Sequence, residues 1–485
     1  MQSPAKHFAI LAVLFAFSMC AGCGGSSSSS TSTQPPPPPP PVINGEWRWV
    51  SGLSTDNNAA GVYGAQGAAS PNNVPGGRAK AASWEDAAGN LWLFGGIGFD
   101  STGNLDRLGD MWKYSNGEWT WISGSTMAGQ PGIYGTKGTP TSGNVPGAHA
   151  YSVTWTDANG NFWLFGGDGV DSVGTRGLMN DLWEYTNGVW TWVSGSNVAA
   201  QPGIAGAWQG TGAYGTKGVA DPSNVPGARW WSSAWADQAG NLWLFGGAGV
   251  DSTGKLGLLN DLWKYSNGMW TWMAGSDLAN EFGTYGTQGT AAPGNTPGGR
   301  TGASAWIDAQ GNLWLFGGDG GDDATVGECD KLPEPCILND LWKYSNGEWT
   351  WVGGSNVIDA PGVYGTQGVP AVGNWPPPRS DATAWTDAAG NFWLFGGSPV
   401  DALDMNDLWK YSNGEWTWVG GSNQECEPGG YGTDGTFSSS NIPGAREGAP
   451  GWVDKSGDLW VFGGTASCPG QNTAWKFNDL WEYQP

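Results

Sequence analysis

The chain has 485 residues, among them 84 Gly and 35 Trp, while Asp, Glu, Lys and Arg together make up 13%, about half of the roughly 25% usual for a globular domain. Glycine at this level without a Gly-X-Y period is not collagen, and tryptophan at fixed intervals buries too much apolar surface for a disordered chain. The formal net charge of −23 offers no basic surface to neutralise phosphates, which argues against nucleic acid or an anionic bilayer surface as a partner.

At the N-terminus, Lys6 and His7 precede an apolar run from Phe8 to Met19 that is too short to span a bilayer comfortably and ends in small residues. This is the build of a signal peptide over residues 1–22. Cys20-Ala21-Gly22-Cys23 resembles the bacterial lipobox, which implies that Cys23 is lipidated and opens the mature chain; ordinary secretion with cleavage nearby is the alternative. Gly24 in place of Asp is similar to lipoproteins sent to the outer membrane. The resemblance therefore implies a lipid-anchored protein of the bacterial cell envelope, periplasmic or surface-exposed. Ser26 to Ser30 and Pro35 to Pro41 make residues 23–43 a flexible tether followed by a stiff polyproline II spacer.

From residue 44 the chain repeats. Gly89-Asn90-Leu91-Trp92-Leu93-Phe94-Gly95-Gly96 recurs from Gly160, Gly240, Gly311, Gly390 and Gly457, spacings of 67 to 80 residues. A second element, Asn-Asp-Leu-Trp-Lys/Glu-Tyr, starts at Asn180, Asn260, Asn339, Asn406 and Asn478, with Gly109 to Tyr114 as its first copy. A third, Asn-Gly-x-Trp-x-Trp, follows at Asn116, Asn187, Asn267, Asn346 and Asn413, while its sixth copy stands at the other end of the chain, at Asn44. A strand displaced from the last repeat to the N-terminus is what closing a ring requires. The expected fold is all-β: a closed six-bladed propeller over residues 44–485, with four-stranded blades and the N-terminal strand completing the last one. Asp-Ala-x-Gly-Asn is expected to join the first two strands of a blade and Asn-Gly the last two.

An Arg opening the first strand, a Gly-Gly pair after an apolar second strand, Asn-Asp at the third and Trp in the fourth resemble the kelch repeat, over residues 44–485. The blade spacing exceeds the roughly 50 residues of kelch. The surplus falls in the second-to-third and inter-blade loops, which emerge on one face of the disc. That elaborated face is the expected working surface. Tyr-Gly turns recur in the inter-blade loops at Tyr63, Tyr134, Tyr214, Tyr285, Tyr364 and Tyr431, and a feature of every blade reads as packing.

Of the 35 Trp, thirty fall at repeat positions and read as core. Trp208, Trp230, Trp231, Trp375 and Trp475 do not. On exposed loops they suit stacking on a sugar or anchoring a protein partner, against the plainer reading of loop packing. Arg78, Arg229, Arg300, Arg379 and Arg446, with His149 in the second blade, form a ring at the expected channel mouth. They are placed either to hold an anion or to pair with Asp110, Asp181, Asp261, Asp340, Asp407 and Asp479 on the same rim. Cys329 with Cys336 and Cys426 with Cys468 are expected disulfides, since the spacing is not that of zinc ligands and histidine is lacking. Acidic loops at Asp100, Asp171 and Asp251 are weighed as calcium sites but read as solvated turns; no cofactor is expected.

Galactose oxidases share the kelch propeller, but their copper-radical chemistry needs two His ligands, and only His149 follows the signal peptide. Bacterial sialate mutarotases resemble this chain in fold and location, and would need only a carboxylate near an Arg, as Glu447 lies beside Arg446. The expected function is therefore a non-catalytic, surface-anchored binding or scaffold propeller recognising a glycan or protein, acting as a monomer, with a sugar mutarotase as the enzymatic alternative. The expected binding site is on the elaborated face, at Trp208, Trp230, Trp231, Trp375, Trp475 and His149.

Overall fold

The computed structural model describes residues 45–485 except 55–57, 202–207, 323–335, 400–402 and 469–473. The signal peptide, Cys23, the tether and Cys329 lie outside the described residues.

Among the described residues the repeat folds into six antiparallel blade sheets of four principal strands, three of them joined by a fifth, two-residue strand. In the second blade the strands are Val153–Thr156, Phe162–Val170, Arg176–Thr186 and Val189–Ser194, paired in that order. The inner strands of successive blades are neighbours all the way round, and Gly451–Val453 of the last blade lies beside Ala82–Glu85 of the first.

Tryptophan side chains tie this inner ring. The indole N–H of Trp84 donates to the carbonyl of Trp163 at 3.1 Å, and the same bond recurs from Trp155, Trp235, Trp306 and Trp385 to the next blade. Trp452 donates to Trp92 at 3.1 Å and so joins the last blade to the first. Closure also holds at the outer edge, where Glu46–Ser51 pairs antiparallel with Leu480–Gln484.

The turns match their chemistry. Each Asn-Gly pair between third and outer strands has both residues at positive φ, 52° and 83° at Asn116 and Gly117, as a two-residue hairpin of the I′ type needs. The Gly-Gly pair is required for a different reason. A Cβ on Gly95 would strike the carbonyls of His149 and Leu108, and Gly96 N–H donates to that His149 carbonyl at 2.8 Å, so the glycines let one blade's second strand touch the next blade's first.

The Tyr-Gly turns are packing, as expected. Tyr63 lies against Trp112 and Trp121 at 4.7 and 5.5 Å between ring centroids. The same loop bridges to the outer strand at Ser70 and Trp119, which covers an edge that would otherwise be open to another chain. The elaborated face departs from expectation in one respect. In blades two and three its second-to-third loops are largely ordered hairpins, with Val170 paired to Arg176 and Val250 to Leu256.

Candidate functional site

The arginine ring does not line an open mouth. Arg78, Arg229, Arg300, Arg379 and Arg446 are at most 1% exposed, and each faces the aspartate that opens the third strand of its blade. Arg229 donates through Nη1 and Nη2 to Asp261 Oδ1 and Oδ2, both at 2.7 Å, and also to the Gly246 and Gly227 carbonyls at 3.0 Å. Asp261 Oδ2 accepts the Tyr214 hydroxyl at 2.6 Å and the Trp263 indole N–H at 2.7 Å. The same arrangement recurs in blades one, four, five and six. Of the two sequence readings the pairing is the one realised, because four of the five guanidinium N–H groups are bonded inside the blade and the buried charge is already matched by an aspartate.

His149 replaces the arginine in blade two. Its Nδ1 lies 2.6 Å from the Gly147 carbonyl, and its Nε2 is 3.6 Å from Asp181 Oδ1, too far for a hydrogen bond. Burial pushes the imidazole down, but the Asp181 carboxylate and the Gly147 carbonyl together outweigh it and raise the group above its ordinary value. Its support of the fold is therefore complete below about pH 6.5, the unfolded value, and is lost as pH rises through the higher folded value. His149→Arg is expected to raise the melting temperature by completing the network, and the gain should be larger at pH 8.5 than at pH 5.5. A gain that does not vary with pH would show that Asp181 does not sense the imidazole charge.

Two residues beyond each of these positions lies a ring that the sequence reading did not isolate. Lys80, Tyr151, Trp231, Gly302, Asp381 and Gly448 all have φ between 57° and 65°. Their backbones form a closed cycle: Lys80 N–H donates to Gly448, Tyr151 to Lys80, Trp231 to Tyr151, Gly302 to Trp231, Asp381 to Gly302 and Gly448 to Asp381, at 2.7 to 3.1 Å. This cycle is the waist of the propeller, with every peptide N–H in it bonded. The side chains fill the circle without repeating. Asp381 accepts the Trp231 indole N–H and pairs with the Lys80 ammonium. A Cβ on Gly448 would collide with Lys80, and one on Gly302 would crowd Trp231. The two glycines are thus the positions over which the longer side chains reach Asp381.

The layer next to the waist is charged and aromatic. Tyr151 packs against Trp230 and Trp231, with centroids 5.2 and 4.9 Å away. Glu447 Oε1 is 3.4 Å from Lys80 Nζ. Asp404 is 1% exposed. Its Oδ2 accepts Ser467 N–H at 2.7 Å, while Oδ1 meets no hydrogen-bond donor among the described residues. Burial first, and then the Glu447 charge, push Asp404 up to about 8, so it is an acid at neutral pH. Burial also lowers Lys476, which lies near Glu447 and Arg107. Arg107 and Arg176 both bind Asp168. The expected Cys426–Cys468 disulfide is present, and it joins the two loops that hold Asp404: Cys426 N–H donates to the Asp404 carbonyl at 2.8 Å. Cys336 is also disulfide-bonded.

The five irregular tryptophans therefore separate. Trp230 and Trp231 belong to this central cluster, and Trp230 also packs on Leu178, Ala200, Ala228 and Val250. Trp375 sits where other blades carry Val74, Val145 or Val225, paired to Val363, with its indole N–H on the Asn339 carbonyl at 2.7 Å. Trp208 packs on Leu178, Ala200, Ala228 and Val250. These two cover loops. Trp475 is 40% exposed, next to Lys476. Asp100, Asp171 and Asp251 are at most 1% exposed rather than solvated, and they accept backbone N–H groups of their own turns and of the following loop.

No protein-family model matches the chain, and no curated protein sequence does. Among solved structures, one titled "Structure of YjhT" is similar at 12% identity over 85% of this chain and 99% of its own, with a TM-score of 0.48. A fungal alcohol oxidase of the AA5 family, in complex with copper, is similar at 13% identity over 87% of this chain and 77% of its own, with a TM-score of 0.44. At these values neither protein's activity transfers to this chain.

Proposed function

We propose that the chain is a kelch-type binding propeller, lipid-anchored through Cys23 in the bacterial envelope, that takes a carbohydrate at the centre of its long-loop face. The observation that carries this reading is the Tyr151–Trp230–Trp231 cluster beside Glu447 and Lys80: apolar ring faces next to paired charges suit the C–H face and the hydroxyls of a sugar. A glycan array followed by calorimetry tests it. Trp230→Ala is expected to weaken binding by about 1 to 3 kcal/mol besides lowering the melting temperature through its packing on Leu178 and Val250, whereas Trp375→Ala should cost stability and leave affinity unchanged. Equal affinity of wild type and Trp230→Ala would remove the central site.

Asp404 favours a second reading, a sugar mutarotase. A buried acid at about 8, close to a second carboxyl group, Glu447, has the makings of a proton donor for opening a hemiacetal. Accelerated exchange between anomers of a bound sugar, falling above about pH 8 and absent in Asp404→Asn, would establish turnover. Binding without exchange leaves the first reading.

A further inference from the structure

The waist holds an amine that the two readings use at most as a charge. Lys80 projects from the peptide cycle with its side chain 6% exposed, between Asp381 and Glu447. Its Nζ lies 4.6 Å from the centre of the Trp231 ring and 5.6 Å from that of Tyr151. Burial lowers its pKa against the pull of the Glu447 carboxylate. An ion pair needs no such setting, and one merely spanning Gly448 would be as well served by the fully bonded arginine used elsewhere in the fold. Lys80 differs from those arginines in a second way. It lines a cavity of about 200 Å³ within the channel, together with Tyr151, Trp231, Asp381 and the small residues that follow them. Ser152 and Ser232 in that wall donate their hydroxyl protons to the Gly166 and Gly246 carbonyls, which leaves their oxygens free to accept from a ligand hydroxyl.

We propose that Lys80 captures a carbonyl compound covalently, the channel cavity being a site for a short-chain hydroxyaldehyde or hydroxyketone. The size limits the class, because pockets for drug-sized ligands begin at about 300 Å³. The chemistry follows from the neighbours. The Lys80 ammonium gives one proton to Asp381, and the freed nitrogen lone pair adds to the carbonyl carbon. The carbonyl π pair moves to oxygen, which is protonated from the same carboxyl. The carbinolamine nitrogen then gives one proton to Asp381 or Glu447, the hydroxyl takes that proton and leaves as water, and the freed nitrogen lone pair forms the C=N bond. Ammonium and aldehyde thus become a protonated imine and water, and no oxidant or reductant is consumed. Burial disfavours the charged ammonium and so eases release of the proton the amine must lose before it attacks, and the imine cation left behind inherits the two carboxylates and the two ring faces that now hold the ammonium.

The cavity shares Lys80, Tyr151 and Trp231 with the glycan reading, but covalent capture at Lys80 is read by a different measurement from sugar binding and stands or falls separately. The intact protein is incubated at pH 7 with glycolaldehyde and sodium cyanoborohydride, which fixes an imine as a hydroxyethyl amine, and the adducts are located by peptide mass mapping. Lys80 is expected to be modified several-fold faster than the exposed Lys255, and the fast adduct should vanish in Lys80→Arg while slow surface labelling continues. Modification of Lys80 no faster than of Lys255 would overturn the proposal and leave Lys80 a structural clasp. That comparison is made within the wild-type protein, so it decides the matter even if Lys80→Arg does not fold.

Discussion

A chain lacking residues 45–50 is expected to melt far below the intact protein or to aggregate on expression. The segment supplies the outer strand of the last blade, paired over Glu46 to Ser51 with Leu480 to Gln484. Trp47 is 5% exposed and touches Phe395, Trp481 and Tyr483, with centroids at 5.3, 6.5 and 5.0 Å. Its carbonyl accepts the Asn441 amide at 3.2 Å, and Arg48 holds Glu482 at 2.7 Å. Losing Trp47 alone should cost about 3 to 5 kcal/mol, and the whole strand also leaves one edge unpaired. Since domains are stable by only about 5 to 15 kcal/mol, the deletion consumes most or all of that margin. Thermal melts of the deletion and of Trp47→Ala measure the two parts. A synthetic peptide of residues 44–51 added in trans should restore part of the melting temperature, as strand addition to an open edge does. An unchanged melt in the deletion would mean that the ring does not depend on its closing strand.

What could be read from the sequence, and what could not, follows the same line as that strand. Features present in five or six copies were legible because repetition separates signal from chance: the blade count, the Asn-Gly hairpins, the displaced strand and the Arg–Asp partners all come from comparing copies. The central cluster is made of positions where the copies disagree, and disagreement looks like noise until the ring is closed. Lys80 and Asp381 are 301 residues apart in numbering, and nothing local pairs them. The clue was available, since the second residue after each Arg or His runs Lys, Tyr, Trp, Gly, Asp, Gly, an unusual spread of size and charge at one repeat position. Tryptophan stood out there because it is conspicuous by itself, which is why Trp230 and Trp231 were singled out and Lys80 was not. Trp375 misled for the converse reason. It occupies a repeat position held by Val, Thr or Ile in other blades, and only the hairpin pairing of Val363 with Trp375 fixes the register of that long loop.

The second large effect lies in the buried Arg–Asp pairs. Arg229→Met is expected to destabilise the propeller by about 3 to 5 kcal/mol, the usual consequence of removing one partner of a buried ion pair. The loss is not that of the attraction itself. Asp261 is 0% exposed, and without the guanidinium its charge stays out of water with only the Tyr214 hydroxyl and the Trp263 indole N–H to hold it. The destabilisation should shrink as pH falls, because a neutral carboxyl needs no counter-charge. Arg229→Met with Asp261→Leu removes both charges and should recover much of the loss, since well-packed apolar replacements of such pairs are often neutral. Denaturant melts at pH 5 and pH 8 on the single and double variants separate these terms. Blade two is the natural comparison: there His149 stands 3.6 Å from Asp181, and the fold tolerates a weaker partner at one position in six. If Arg229→Met proved as mild as that blade implies, the arginine ring would be a device for fixing blade register rather than a source of stability, and the double variant would then show no recovery.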